Sequence, residues 1–86
     1  MFDWDDFNID HIAEHNVSPE EAEQAVLDPD RIVTEAYNSG KEKRKAIVGK
    51  TLEGRYLTVV LTVRNALFRV ITARDSNATE KRRFRR

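Results

Sequence analysis

Hydrophobic positions near the start of the chain follow a helical period. Ile9, Ile12 and Ala13 are spaced i, i+3 and i+4, so they fall on one side of a helix. The spacing predicts a first helix over residues 8–15. The polar residue that follows interrupts the pattern, and a second periodic stretch begins soon after it.

The second helix has clear start and stop signals. Ser18 is placed as its N-cap, Pro19 takes the first helical position, and Glu21 completes a capping box with Ser18. Asp28 precedes Pro29, and the residue before a proline avoids the helical conformation, so we expect the helix to end there. Its buried stripe is Ala22, Ala25 and Val26.

From residue 31 the apolar period shortens to that of β-strands. Strands are predicted over residues 32–37, 43–50, 55–63 and 67–74, with turns at Asn38-Ser39-Gly40, Glu53-Gly54 and Arg64-Asn65. The third strand is the most apolar and β-branched, and we expect it at the centre of the sheet. Asn77 as N-cap, with Glu80 three residues later, begins a last helix. The order α-α-β-β-β-β-α predicts an α+β protein with a four-stranded antiparallel sheet.

The charged residues are strongly segregated, although the formal net charge is zero. Residues 1–36 hold eleven acids and one base, which sum to −10. Residues 37–86 hold fourteen bases and four acids, which sum to +10. This asymmetry favours a polyanionic ligand on the basic half, either nucleic acid or an acidic protein surface. The alternative is that the two halves attract each other within the fold.

Length and composition exclude several classes of protein. The 86 residues predict a single domain over residues 1–86. The absence of cysteine excludes disulfides and thiol chemistry. No apolar run approaches the ~18 residues of a membrane span, so we expect a soluble, cytoplasmic protein. His11 and His15 have a spacing that lets two imidazoles share a metal, but no third ligand lies suitably beside them, and we predict neither metal nor cofactor.

Arginines in the last two predicted strands are the main candidates for chemistry. Period-2 alternation places Arg69 on the face opposite Phe68 and Val70, and Arg74 ends the same strand. A guanidinium group binds phosphate through paired hydrogen bonds and stabilises a phosphorane-like transition state. We expect no acid beside this pair except Asp75. The alternative for Arg69 is a salt bridge to an acid of the helical layer.

The basic run at the end of the chain suggests contacts to a nucleic-acid backbone, through Lys81, Arg82, Arg83, Arg85 and Arg86. Such contacts carry no sequence information, because every nucleotide presents the same phosphate. Phe84 within this run is expected to pack onto the sheet, and stacking on a base is the alternative.

Four segments in order resemble the BrnT family, toxins of bacterial toxin–antitoxin pairs with a RelE-like ribonuclease fold. The segments are FDWD (2–5), EHNVSPEEAEQAVLDP (14–29), GRYLTVVLTV (54–63) and RVITARDSNATEKRRF (69–84). The resemblance implies a type II toxin, a metal-independent endoribonuclease that cleaves RNA by attack of the 2′-hydroxyl and inhibits translation. It also implies a ribbon-helix-helix antitoxin similar to BrnA, with promoter DNA contacted only through that antitoxin.

The resemblance also implies residues that bind RNA. Arg69 and Arg74 match the basic strand end of the family and would bind the scissile phosphate, with Arg55 or Lys43 assisting. Further backbone contacts would come from Lys81, Arg82 and Arg83.

The same resemblance implies two candidate residues for proton transfer, Glu80 of the last helix and His15. Glu80 also fits the acid of a capping box, which is its structural alternative. Phe84 stands where the family often has a tyrosine. The competing hypothesis for the whole chain is a non-catalytic module that binds RNA or the antitoxin and acts in transcriptional autoregulation.

Overall fold

The computed structural model describes residues 1–36 and 42–84. Its elements are α1 (Asp6–Ala13), α2 (Pro19–Val26), β1 (Ile32–Glu35), β2 (Lys45–Lys50), β3 (Tyr56–Arg64), β4 (Leu67–Asp75) and α3 (Ala78–Phe84). Within the described residues the strands form an antiparallel sheet in the order β1-β2-β3-β4. The α+β class, the element order and the internal position of β3 are confirmed. The turn expected at Asn38-Ser39-Gly40, the strand end at Tyr37 and the basic residues Arg85 and Arg86 lie outside the described residues.

Both N-terminal helices begin at capping boxes. In α1 the side chain of Asp5 accepts from the Asn8 backbone at 3.2 Å, and the Asn8 side chain accepts from the Asp5 backbone at 2.9 Å. This cap starts α1 two residues earlier than the apolar spacing predicts. In α2 the box between Ser18 and Glu21 is confirmed, at 3.2 and 3.0 Å. Neither helix, nor α3, is long and apolar enough to cross a membrane, so far as the described residues show.

The hydrophobic core lies between α1, α2 and one face of the sheet, which we call the helical face. Its buried members include Ile12, Val17, Ala22, Ala25, Ile47, Leu57, Val59, Leu61, Val70 and Ala73. Gly49 of β2 faces α2, and a Cβ at this position would overlap the backbone of Ala25. The missing side chain therefore lets the backbone of α2 lie directly on the sheet.

Helix α3 lies across the opposite side of the sheet, which we call the α3 face. The ring of Phe84 meets the ring of Tyr56 edge-on, with centroids 5.3 Å apart, and the Thr58 hydroxyl donates to Glu80 at 2.9 Å. Residues that alternate with the core positions share this face, namely Lys50, Tyr56, Thr58, Val60, Thr62 and Arg64. The α3 face is thus more polar than the helical face.

A β-bulge in β4 changes which residues share the α3 face. The register shifts between Val60 and Leu61, and Ile71 is left without a partner in the ladder. Residues 69 and 74 are an odd number of positions apart, so strict alternation would put them on opposite faces. With the bulge, Arg69 lies opposite Thr62 and Arg74 opposite Thr58, and both arginines reach the α3 face.

The first residues of the chain run alongside the start of β4. The backbone N–H of Asp3 donates to the carbonyl of Phe68, and the N–H of Phe68 donates to the carbonyl of Met1, both at 2.8 Å. The buried amide of Asn8 donates to the carbonyls of Asp3 and Val70. These bonds fix the beginning of α1 against the edge strand.

Candidate functional site

Arg74 and Glu80 form a bidentate ion pair on the α3 face. Nη1 of Arg74 donates to Oε1 of Glu80, and Nη2 donates to Oε2, both at 2.9 Å. Nη1 also donates to the carbonyl of Asp75 at 3.1 Å. The side chain of Arg74 is 44% exposed, while that of Glu80 is 21% exposed. The guanidinium group is therefore oriented by the fold and still accessible to a ligand.

Glu80 is held by three further groups as well as Arg74. It accepts from the backbone N–H of Asn77 at 2.8 Å and from the hydroxyl of Thr58 at 2.9 Å. The Asn77 side chain accepts from the Glu80 backbone at 2.9 Å, so the capping box expected for α3 is confirmed. The hydrogen bonds of Arg74, followed by those of Asn77 and Thr58, lower the pKa of Glu80 to about 2 against the opposing effect of burial. Glu80 is accordingly ionised at neutral pH.

Tyr56 lies beside this pair and was not a candidate from the sequence. Its ring has the ammonium group of Lys50 at 5.6 Å and that of Lys81 at 6.0 Å from the centroid. Phe84 packs edge-on against the same ring, which confirms the expectation that Phe84 packs onto the sheet. The sequence around Tyr56 does not indicate a functional role, because the lysines that lie near its ring belong to β2 and α3 and are distant in sequence. The structure thus places the ammonium groups of two lysines near a phenol that lies two positions before Thr58 in β3.

Arg69 has carboxylate neighbours that the sequence analysis did not expect. Its Nη1 lies 3.3 Å from an oxygen of Asp3, and its Nη2 lies 3.0 Å from an oxygen of Asp5. The side chain is only 13% exposed. The expectation that Asp75 alone would accompany the Arg69/Arg74 pair is wrong, because Asp3 and Asp5 are brought to β4 by the N-terminal segment. Arg69 thus forms salt bridges to the N-terminal segment, one of them to Asp5, the N-cap of α1.

Arg55 joins the α1–α2 region to the end of β4. Its Nε donates to Asp75 at 2.8 Å, its Nη1 donates to Glu21 at 3.1 Å, and further bonds reach the carbonyls of His15 and Asn16. The hydrogen bond from Arg55 lowers the pKa of Asp75. Arg55 therefore connects the N-terminal helices to the end of β4.

His15 is exposed at the end of α1, where its ring meets that of His11 with centroids 6.2 Å apart. The backbone carbonyl of His15 accepts from Arg55 at 3.4 Å, and among the described contacts none joins its imidazole to the Arg74–Glu80 pair. Among the described residues, no group of three or more His, Asp or Glu side chains is arranged to hold a metal ion.

The remaining predicted RNA-binding residues are spread over the surface. The carbonyl of Lys43 accepts from Thr62 at 2.8 Å, and its side chain lines a shallow depression with Lys45 and Val63. Arg82 donates to Thr79 at 3.2 Å within α3, and Arg83 is exposed. Lys81 is the member of the basic run that lies next to Tyr56.

A second arginine cluster on the α3 face was also missed. Arg44 and Arg64 share the carboxylate of Glu42, and both line a cavity that Arg69 also lines. Arg64 lies beside the last two predicted strands, among the arginines considered for chemistry, and Arg44 lies within the strand predicted over residues 43–50, although the observed β2 begins one residue later. Their meeting depends on the pairing of β2 with β3, which no local pattern gives.

Fold and charged residues together define a small α+β protein with arginines arrayed on one face of an antiparallel sheet. A family model described as the ribonuclease toxin BrnT of a type II toxin–antitoxin system matches residues 4–80. The chain therefore belongs to the BrnT family of ribonuclease toxins. The matched region includes Arg69, Arg74 and Glu80, and membership implies an antitoxin partner. No curated protein matches the chain.

Proposed function

We propose that this protein is a cytoplasmic endoribonuclease toxin that cleaves RNA without a metal and thereby inhibits translation and growth. The observation that carries the proposal is Arg74, which is oriented by Glu80 yet half exposed on the α3 face. Lys50 and Lys81 lie around the neighbouring Tyr56, so that a phosphate at Arg74 would enter a cationic surface. Family membership supports the same reaction class.

In the proposed reaction the ribose 2′-oxygen forms a bond to the adjacent phosphorus, and the bond from phosphorus to the 5′-oxygen breaks. The 2′-hydroxyl proton passes to solvent, and the leaving 5′-oxygen takes a proton from the enzyme. The products are a 2′,3′-cyclic phosphate and a 5′-hydroxyl. Arg74 would bind the non-bridging oxygens, on which negative charge grows in the transition state.

We assign proton donation to the hydroxyl of Tyr56. Glu80, with a pKa of about 2, is a weak proton acceptor near neutral pH, and we propose that it positions Arg74 instead. Among the described contacts none joins the His15 imidazole to Arg74 or Glu80, and we propose that His15 has no part in the transfer. Phe84 stands at the position where the family often has a tyrosine. Because the ring of Tyr56 contacts Phe84, the phenol of Tyr56 lies in the same region of the α3 face.

The other candidate residues receive supporting roles in this proposal. Arg69 joins the N-terminal segment to β4 through Asp3 and Asp5, and Arg55 joins Glu21 to Asp75. Backbone contacts to RNA are proposed for Lys43 and for the exposed bases of α3, Lys81, Arg82 and Arg83. We further propose that the fold is RelE-like and that the antitoxin is a ribbon-helix-helix protein, through which alone the complex would contact promoter DNA.

The test is cleavage of single-stranded RNA by purified variants. Arg74→Lys keeps the positive charge but removes the planar fork, and it should lower kcat by about 100-fold or more. Arg31→Ala is the matched control, because Arg31 is an exposed arginine of the acidic segment, bonded to the carbonyl of Asp28. A wild-type rate in Arg74→Lys would reject the assignment of Arg74 to the reacting phosphate.

A non-catalytic module is the competing function, and one observation favours it. Arg55, Arg69 and Arg74 each pair with carboxylates of their own chain, so none of them needs an external anion for its charge. Wild-type protein that binds RNA but yields no cyclic-phosphate product under any condition would support this alternative.

A further inference from the structure

Phe7 is an aromatic side chain that the fold does not use for its core. It stands in the first turn of α1, where the neighbouring Asn8 and the later Ile12 are the buried positions. Phe7 is 81% exposed. A phenyl ring at this position leaves a large apolar surface in water at the edge of β4.

The exposed ring forms one wall of a cavity with a volume of about 230 Å³ on the α3 face. Arg44, Arg64 and Arg69 also line this cavity, and the bulge residue Ile71 lies beside them. Proteins that bind single-stranded nucleic acids commonly place an aromatic ring next to cationic groups. The ring stacks on a base, and the cations bind the phosphate backbone.

Arg64 is the most exposed of the three arginines of the cavity, while Arg69 is held by Asp3 and Asp5. Glu42 is the single carboxylate among the described lining residues, and it pairs with both Arg44 and Arg64. A guanidinium group has five N–H donors, and Glu42 accepts bonds from the Nε and Nη2 of Arg64. The side chain of Arg64 is 51% exposed, so it is open to a phosphate oxygen.

We propose that Phe7, Arg64 and Arg44 form a subsite for one nucleotide of single-stranded RNA, with the base stacked on Phe7 and the phosphate at the arginines. The subsite rests on the proposed function, since it would hold the substrate of the same reaction. Arg69 and Arg74 lie opposite Thr62 and Thr58, which are four positions apart in β3, or roughly 14 Å at about 3.4 Å per residue. The subsite therefore binds a nucleotide beyond the scissile one and recognises a base ring without selecting its identity.

The experiment measures binding of a labelled 2′-O-methyl RNA of about eight nucleotides, a length within the usual site sizes for single strands. This probe cannot be cleaved, because its 2′-oxygen carries no proton and is blocked from attack. Phe7→Ala should weaken binding by about tenfold, and Phe7→Trp should retain it. Leu52→Ala is the matched control, since Leu52 is also an exposed apolar side chain, at 86%, but lies in the turn before β3. Leu52→Ala should bind as the wild type does.

A second variant tests the charges of the subsite. Glu42→Gln removes the negative charge beside Arg44 and Arg64, and it should strengthen binding of the probe several-fold at low salt. The gain should be smaller in the double variant with Phe7→Ala, if ring and cations hold the same nucleotide.

The outcomes separate this subsite from the proposed function. Wild-type affinity in Phe7→Ala, with Arg74→Lys still impaired in cleavage, would overturn the subsite and leave the reaction in place. Full affinity in Phe7→Leu would show that stacking is not involved, and a loss of antitoxin binding alone in Phe7→Ala would make the surface a protein interface. If the wild type neither binds the probe nor cleaves RNA, the proposed function fails together with the subsite.

Discussion

The carboxylate of Glu80 should make the stability of this protein sensitive to acid. Its pKa is lowered from 4.5 to about 2, chiefly by the hydrogen bonds from Arg74. A group whose pKa falls on folding stabilises the native state while it is ionised, so the stabilisation is present above about pH 4.5. It is lost as the pH falls toward 2, where the folded carboxylate takes up its proton.

The size of the effect follows from the shift. A difference of about 2.5 pKa units corresponds to at most about 3.4 kcal/mol at neutral pH. Arg74 is 44% exposed, and a partly exposed ion pair is screened, so its own share is nearer 1 kcal/mol. The cap at Asn77 and the bond from Thr58 account for the rest. We therefore expect Glu80→Gln to cost about 1–3 kcal/mol at pH 7.

The assay is urea unfolding of wild type and Glu80→Gln between about pH 7 and pH 2. The difference in unfolding free energy should be constant down to about pH 4.5 and should then shrink, because protonated glutamate resembles glutamine. Glu53→Gln is the control, since Glu53 lies exposed in the turn before β3. A Glu80→Gln deficit that stays the same at pH 2.5 as at pH 7 would refute the electrostatic reasoning and leave only a packing effect.

Three other measurements test the fold and the charged surface. Ser18→Ala should cost about 1 kcal/mol in urea unfolding through loss of the α2 cap, and an unchanged free energy would contradict that cap's contribution. Gly49→Ala should cost about 1–3 kcal/mol by forcing α2 away from β2, and a neutral effect would mean that the contact yields easily. Replacing Lys81, Arg82 and Arg83 by glutamine should make RNA binding less sensitive to salt. The slope of log affinity against log salt concentration should become less negative by up to roughly 2, at about 0.7 for each lost phosphate contact. An unaltered slope would remove α3 from the interface.

Local signals in the sequence predicted local structure well. The Ser18 cap, the Asn77 cap with Glu80 and the end of β3 are each determined by residues within a few positions of one another. The start of α1 was placed two residues late, because the cap at Asp5 is completed by Asn8 and not by the Glu or Gln of the usual pattern.

The arrangement of the site depends on contacts that are distant in sequence. Period-2 alternation separates Arg69 from Arg74, and only the bulge at Ile71 returns them to a common face. The bulge depends on the pairing of β3 with β4, and no residue type in β4 predicts it. Tyr56 likewise acquires its cations from β2 and α3, which meet it only in the folded chain.

The sequence left two explanations for the segregated charges, a polyanionic ligand and attraction between the two halves of the chain. Each explanation fits a different part of the charged residues. In the described residues, acids of the first segment fold back onto the basic half, as in Glu21 with Arg55 and Asp3 and Asp5 with Arg69. These pairs join the helical layer and the N-terminal segment to the sheet, and they account for part of the asymmetry by attraction within the chain. The bases of α3 lie instead across the opposite face, where the carboxylate of Glu80 is already engaged by Arg74. The polyanionic ligand that we propose would account for the basic end of the chain but not for the acidic one. It would lie on the α3 face and at the edge of β4 beside Phe7, because α1 and α2 cover the core of the other face.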